Sequence, residues 1–163
     1  MNLARVFKMQ KELDDAIISR NDLESFTKEQ YQRMWALALL VETGEFANEV
    51  QSFKYWKAHK NVDKQKALEE FADVLHFLGS YAYKYDVNPE IEPLILTNDV
   101  NLQIIKLYAT ISSSVDSINK YNLAQMLALL LGAAKLIGYT EEEIMASYEI
   151  KNAKNFERVR NKY

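Results

Sequence analysis

Hydrophobic residues recur at intervals of three and four along most of the chain, which is the spacing of one face of an α-helix. This periodicity predicts six helices separated by short polar segments. The predicted spans are about residues 3–19, 27–57, 63–85, 99–117, 122–136 and 140–160.

Residues that favour helix ends flank several of these spans. Thr27 with Gln30, and Thr140 with Glu143, have the spacing of a capping box, in which each side chain bonds the other residue's backbone N–H. Gly138 follows the fifth apolar stretch and is a candidate for its C-terminal cap. We therefore expect the second and sixth helices to begin just after their threonines.

The turn-forming residues are few. Four glycines and two prolines in 163 residues are too few for a fold built from many short strands and turns. Both prolines fall in the polar segment 88–93, which predicts a connection there. We expect an all-α fold in a single domain over residues 1–163, with residues 88–138 forming either a distinct helical sub-lobe or an interface element.

The fifth predicted helix is apolar on most of its sides, which indicates burial in a core or in an oligomer interface. Its large apolar residues are Leu123, Met126, Leu127, Leu129, Leu130 and Leu131. The pattern leaves both possibilities open.

Composition narrows the range of functions. A net charge of −3 argues against nucleic acid or an anionic membrane surface as the partner. The absence of cysteine excludes disulfides and thiolate chemistry, and two histidines are too few for a histidine-rich zinc site. The longest apolar run, residues 126–134, is far shorter than a membrane span, and the N-terminus has no apolar signal core. We expect a cytoplasmic protein.

The second predicted helix carries three glutamates on one side. At about 100° per residue, Glu42, Glu45 and Glu49 fall within a sector about 60° wide. The aromatic side chains of the same helix lie within that sector or within about 40° of it, so the glutamates are part of an aromatic stripe. These aromatic residues are Trp35, Phe46, Phe53 and Trp56.

The third predicted helix repeats the arrangement, since Glu70 and Asp73 share a stripe with Phe77 and Tyr81. Both acidic groups are thus predicted to point into the protein. Ionised carboxylates in such a place repel one another and are costly to bury unless a cation compensates them. Oxygen ligands favour Mg²⁺, with Mn²⁺ as an alternative, so we predict a divalent metal site. The simpler alternative is that these are solvated charges on long helices.

The spacing Glu42-x-x-Glu45 followed by Glu70-x-x-Asp73 resembles the metal signature of the all-α nucleoside triphosphate pyrophosphohydrolases. Three further segments are similar to the dimeric dUTPase family within that superfamily. They are the aromatic-basic segment 53–57, the stretch 70–77 with its His-Phe pair, and Lys151-x-x-x-Asn155-x-x-Arg158. The N-terminal segment 10–14 resembles that family too, and the chain ends in Lys162-Tyr163 where the family often has Gly-Tyr.

The resemblance implies a helical bundle, a homodimer and hydrolysis of dUTP to dUMP and pyrophosphate with two or three Mg²⁺ ions per site. dUTP or dUDP would be the nucleotide partner. Implied metal ligands are Glu42, Glu45, Glu49, Glu70 and Asp73, with Glu45 or Glu49 as the catalytic base. Implied phosphate contacts are Lys54, Lys151, Asn155, Arg158 and Tyr163. Implied base contacts are Gln10, Asp14, Trp56, His76 and Phe77.

Alternatives remain open at this point. The metal signature does not separate dUTP from dCTP or from a broader set of nucleoside triphosphates. A non-catalytic helical interaction module with surface carboxylates is the alternative of another class. The polar stripe formed by Tyr148, Lys151, Asn155 and Arg158 on the sixth helix is also compatible with a solvated face.

Overall fold

The computed structural model describes residues 1–162, and these residues form six α-helices with no β-strand beyond an isolated bridge between Asn2 and Glu90. The prediction of an all-α fold is confirmed. The helices are α1 Ala4–Ile18, α2 Lys28–Val50, α3 Lys64–Lys84, α4 Val100–Ser114, α5 Lys120–Ile137 and α6 Glu141–Arg160.

The predicted helix ends are confirmed where the capping residues lie close together in the sequence. The hydroxyl of Thr27 accepts a hydrogen bond from the backbone N–H of Gln30. In return, the side-chain oxygen of Gln30 accepts one from the backbone N–H of Thr27. Thr140 and Glu143 form the same reciprocal pair at the start of α6. Gly138 ends α5 in the left-handed conformation, with φ of 89°.

The predicted end of the second helix is wrong. We expected α2 to continue to about residue 57, but it stops at Val50 because Gln51 turns into the left-handed region with φ of 59°. The Gln51 amide holds this turn in place, since its Nε2 donates to the carbonyl of Asn61 and its Oε1 accepts from Lys57. Phe53 and Trp56 therefore lie in the loop after α2 and not on its aromatic stripe.

The leucine-rich α5 lies inside the core of its own chain. The six large residues named above are at most 3% exposed, and they join one apolar cluster with buried residues from the other five helices. This burial explains the all-round hydrophobicity of α5 without a partner chain, so these leucines do not form the self-association surface.

Helix α3 is the element that organises the site. It packs against α2 on one side and against α1 and α6 on others, while α4 packs against α5 and α2. Between α2 and α3, the Trp35 ring stacks on Tyr81 at 4.0 Å and its indole N–H donates to the carbonyl of Phe77. These contacts fix the register of the two helices that carry the acidic motifs.

No single helix among residues 1–162 has both the length and the hydropathy of a membrane-crossing segment. Helices α5 and α6 reach those values only when taken together, and they are bent by 116° relative to one another.

Candidate metal and nucleotide site

Two buried phenylalanines bring the acidic motifs of α2 and α3 together. Phe46 and Phe71 are fully buried and meet edge to face, with ring centroids 5.4 Å apart. Each phenylalanine directly follows a glutamate, Glu45 in α2 and Glu70 in α3. The aromatic contact thus places the two carboxylates on neighbouring helices at the same level.

Three carboxylates converge beside this contact. Glu42, Glu45 and Glu70 each offer an oxygen within 4.8 Å of the others, close enough for one cation to bind all three. Glu42 and Glu70 are half-buried, and Glu45 is exposed. The expectation that both acidic groups point into the protein was therefore too strong, since the cluster lies at a partly open surface. The oxygen-only donor set fits a hard divalent ion such as Mg²⁺.

Crowding and burial shift the protonation of this cluster. Burial raises the pKa of Glu42 to about 7, and the neighbouring charges of Asp73, Glu45 and Glu70 add to the effect. Burial also raises the pKa of Glu70, with Asp73 contributing next. Both shifts identify a place where negative charge is under-compensated in the free protein.

Asp73 forms a salt bridge with a buried lysine. The ammonium of Lys151, only 7% exposed, lies 2.5 Å from a carboxylate oxygen of Asp73 and 3.1 Å from Glu69. Lys154 also reaches Glu69, at 2.9 Å. Burial raises the pKa of Asp73 although the hydrogen bond from Lys151 opposes the shift. Glu69 was not among the predicted site residues, because its partners come from α6 and no local spacing shows them.

The polar stripe of α6 faces inward. Tyr148 is fully buried and Lys151 nearly so, whereas Ile150 is 63% exposed on the other side of the helix. The alternative of a solvated polar stripe is therefore wrong for these two residues. Helix α6 packs this face against α1 and α3, which carries Lys151 to the acidic cluster.

A second polar group lies where α1, α3 and α6 meet. Gln10, Asp14 and His76 are all buried, and the His76 ring stacks on Tyr148 with ring centroids 4.2 Å apart. The Oε1 atom of Gln10 lies 2.6 Å from Nδ1 of His76 and accepts the hydroxyl of Tyr148 at 2.9 Å. Burial, with the nearby charge of Lys151, lowers the pKa of His76 to about 3.

Asp14 is the anionic end of this polar group. Its carboxylate accepts hydrogen bonds from Gln10 at 2.8 Å, Ser80 at 2.6 Å, Tyr83 at 2.9 Å and Lys84 at 2.7 Å. Burial on its own would raise the pKa of Asp14, but the bonds from Lys84, Ser80 and Gln10 outweigh it and the pKa is lowered. Asp14 is thus an ionised acceptor at neutral pH.

The remaining predicted base contacts are more open. Trp56 is 61% exposed in the loop after α2, where its ring meets Phe53 and Tyr55 edge to face. Phe77 is half-buried on α3 and follows His76 directly. The structure therefore brings Gln10, Asp14 and His76 into one group and places Trp56 apart from them on a loop.

The remaining predicted metal and phosphate residues lie on α2, on the loop after it and on α6. Glu49 is half-buried one turn beyond Glu45, and Lys54 follows α2 with its ammonium 5.8 Å from the Phe53 ring centroid. On α6, a guanidinium nitrogen of Arg158 donates to Asn155 at 3.2 Å. Tyr163 lies outside the described residues.

Comparison with known proteins assigns the family. A family model described as dUTPase matches residues 2–163, essentially the whole chain. A search of curated proteins finds no match. The match covers both acidic motifs, the aromatic-basic loop and α6, and it supports an enzyme over a non-catalytic interaction module. The chain belongs to the dimeric dUTPase family, and its enzyme class is that of the dUTP diphosphatases.

Proposed function

We propose that this protein hydrolyses dUTP to dUMP and pyrophosphate with Mg²⁺ held between α2 and α3. The observation that carries the proposal is the convergence of Glu42, Glu45 and Glu70 within 4.8 Å in a chain of this family. The raised pKa of Glu42 supports it, because the free protein lacks the positive charge that this cluster needs.

The metal ligands would be Glu42, Glu45 and Glu70, joined by Asp73 and Glu49. When bound, two or three Mg²⁺ ions, or Mn²⁺ in their place, supply positive charge to the triphosphate and lower the pKa of a water molecule. Glu45 or Glu49 would accept the proton of the attacking water at a carboxylate oxygen. Both residues are suited to this role by their access to solvent.

The triphosphate would be held from α6 and from the loop after α2. Arg158 and Asn155 would contact phosphate oxygens, and Lys151 would supply a point charge next to Asp73. Lys54 and Tyr163 complete the proposed phosphate contacts. These groups keep the triphosphate close to the carboxylates of α2 and α3.

The uracil base would lie against the polar group of α1, α3 and α6. Gln10, Asp14 and His76 offer directed hydrogen-bonding groups, which can reject a base of the wrong pattern more strongly than an apolar pocket can. Phe77 and the exposed Trp56 would contact the faces of the ring. The exposure of Trp56 supports this role, since a loop aromatic can close over a bound base.

We also propose that the chain, as one domain over residues 1–163, forms a homodimer. The support is an apolar stripe on the outer face of α2, formed by Met34, Leu37 and Val41, which are 43%, 64% and 49% exposed. Exposed apolar side chains also occur on the neighbouring helix α4, at Leu102 and Ile105. A surface of this kind is usually covered by a partner.

A nucleotide panel tests the proposed activity. Purified protein is given dUTP, dCTP, dTTP or dATP, with Mg²⁺ or with a chelator, and pyrophosphate release is measured. The proposal predicts hydrolysis of dUTP in preference to the other three, and only with the metal. Equal rates on all four nucleotides would favour the broad-specificity alternative, and a preference for dCTP would favour the sister activity. Hydrolysis that is unaffected by the chelator would contradict the metal site.

A further inference from the structure

The buried polar group of α1, α3 and α6 forms one continuous chain of hydrogen bonds. It runs from the Lys84 ammonium to Asp14, from Asp14 to the amide of Gln10, and from Gln10 to the ring of His76. Gln10, Asp14 and His76 are each at most 7% exposed. Water therefore cannot substitute freely for a missing partner, and every proton in the chain has to be accounted for.

Donor and acceptor chemistry fixes the proton positions along this chain. An ionised carboxylate accepts hydrogen bonds and donates none, so Asp14 requires the NH₂ end of the Gln10 amide at its side, 2.8 Å away. The oxygen end of the amide then faces Tyr148 and His76. Because that oxygen carries no proton, Nδ1 of His76, at 2.6 Å, has to be the donor.

The second nitrogen of the ring is left without a proton. Burial lowers the pKa of His76 to about 3, so the imidazole is neutral at neutral pH and holds one proton. With that proton on Nδ1, Nε2 is a bare acceptor. Nε2 is buried and makes no hydrogen bond of normal geometry to a described residue. The backbone of Tyr148 lies near the ring and favours its protonated form, but burial outweighs this effect and the ring stays neutral. A buried acceptor without a donor costs free energy, and such groups are often retained for a ligand.

We infer that Asp14 is a positioning residue which, through the amide of Gln10, holds His76 in the Nδ1–H form and keeps Nε2 free as an acceptor for the nucleotide base. The part of this inference that concerns the base rests on the proposed function. Asp14 need not touch the base itself. Its role is to decide which end of the Gln10 amide faces the histidine.

The chemical consequence is a choice between pyrimidines. Uracil carries an N–H at position 3, which donates to a bare Nε2. Cytosine carries an unprotonated nitrogen at that position, and its lone pair would oppose the lone pair of Nε2. A histidine with the opposite proton placement would reverse this preference. The tautomer fixed by Asp14 thus favours uracil over cytosine.

Nitrogen-15 NMR of the histidine rings tests the inference on the free, full-length protein at neutral pH. The chain has two histidines, and His59 lies exposed in the loop after α2, where it serves as an internal reference. We expect His76 to show a protonated Nδ1 and an unprotonated Nε2. The opposite pattern in the unmodified protein would overturn the inference without any variant.

The variant Asp14→Asn tests whether Asp14 determines the tautomer of His76. With three donors on the other oxygen of Asp14, the new amide would turn its NH₂ group toward Gln10. The Gln10 amide then has to reverse, its NH₂ group faces Nδ1, and the proton of His76 moves to Nε2. We expect the Nδ1 signal to become that of an unprotonated nitrogen and the Nε2 signal to become that of a protonated one. The matched control is Asp15→Asn, next in sequence but exposed and paired with Lys11. An Asp14→Asn protein that folds and keeps the original pattern would overturn the inference.

Titration with dUMP and dCMP tests whether Nε2 of His76 contacts the base, independently of which tautomer the ring adopts. We expect dUMP to shift the Nε2 signal of the unmodified protein and dCMP to shift it far less. If dUMP leaves the signal in place while dUTP is hydrolysed, the contact with the base is wrong and the proposed activity stands. If dUTP is not hydrolysed but the Nδ1–H form is observed, the proposed activity fails and the role of Asp14 in setting the tautomer stands.

Discussion

The ammonium of Lys151 lies 2.5 Å from a carboxylate oxygen of Asp73, and the lysine side chain is almost completely buried. This pair joins α6 to the acidic cluster of α2 and α3. Lys151 therefore places a cation of the protein's own at the edge of the proposed metal site. Asp73 is compensated by this cation, whereas Glu42, Glu45 and Glu70 converge without a salt bridge to any lysine or arginine of residues 1–162.

Replacing Lys151 with methionine should strengthen metal binding by the free protein. The ammonium repels a divalent ion placed in the adjacent cluster, and its removal also releases Asp73 as a ligand. We expect the dissociation constant for Mn²⁺, measured by calorimetry, to fall by roughly tenfold, which is about 1.4 kcal/mol. The matched control is Lys154→Met, since Lys154 pairs with Glu69 at the surface and does not contact Asp73. Unchanged or weaker Mn²⁺ binding by Lys151→Met would contradict this description of the site.

Stability without metal should fall as the pH rises through neutrality. The pKa of Glu42 is raised from 4.5 to about 7, so the folded protein holds this proton more tightly than the unfolded chain does. The resulting contribution to stability is complete below about pH 4.5 and is lost as the pH approaches and passes 7. The melting temperature of the unmodified protein with a chelator, taken relative to that of Glu42→Gln, should therefore decrease from about pH 5 to about pH 8. The comparison is needed because burial lowers the pKa of His76 from 6.5 to about 3, so that the contribution of His76 to stability rises with pH up to about 6.5 in both proteins.

Magnesium should oppose this loss, since it binds the ionised carboxylates. The increase in melting temperature on adding Mg²⁺ should be larger at the upper end of the same pH range. Glu42→Gln has no titrating group at this position, so its melting temperature should not fall over this range. An equal fall in Glu42→Gln and in the unmodified protein would show that another group causes it.

Gly132→Ala should destabilise the fold. A Cβ atom at Gly132 would lie 2.1 Å from the backbone carbonyl oxygen of Leu94, a contact that requires the backbone to move. We expect a loss of about 1–3 kcal/mol in the free energy of unfolding, measured by denaturant titration. Gly79→Ala is the matched control, because a Cβ there meets its nearest neighbours at an ordinary 3.6 Å. That variant should be unchanged or more stable by up to about 1 kcal/mol through helix propensity. Equal destabilisation by both would contradict the close approach at Gly132.

The sequence is sufficient for those features of the fold that depend on neighbouring residues. The six helices follow from apolar spacing, and the capping boxes at Thr27 and Thr140 follow from residues three positions apart. The convergence of Glu42, Glu45 and Glu70 also follows from periodicity, once α2 and α3 lie side by side. Each of these features depends on residue spacing within one helix, or on the pairing of two helices that are consecutive in the chain.

Features that depend on distant residues could not be predicted in the same way. Helix α2 ends at Val50 because Gln51 bonds to Asn61 and Lys57 across the loop, although the aromatic stripe continues at helical spacing beyond it. The inward face of α6 is decided by packing against α1 and α3, which no local pattern of Tyr148 and Lys151 reveals. The exposure of the cluster is likewise a property of how the helices pack.

The central claim is that the carboxylates converging between α2 and α3 hold the ion on which dUTP hydrolysis depends. Mg²⁺ titration of dUTP turnover by Glu45→Gln tests it most directly, because the amide keeps the size of the exposed side chain and removes its charge. Glu29→Gln, on the first turn of the same helix, is the control, and thermal melting confirms that both variants fold. We predict that Glu45→Gln loses a factor of about 100 or more in kcat and requires more Mg²⁺, while the control is unaffected. Turnover and Mg²⁺ dependence that match the unmodified protein would contradict the claim.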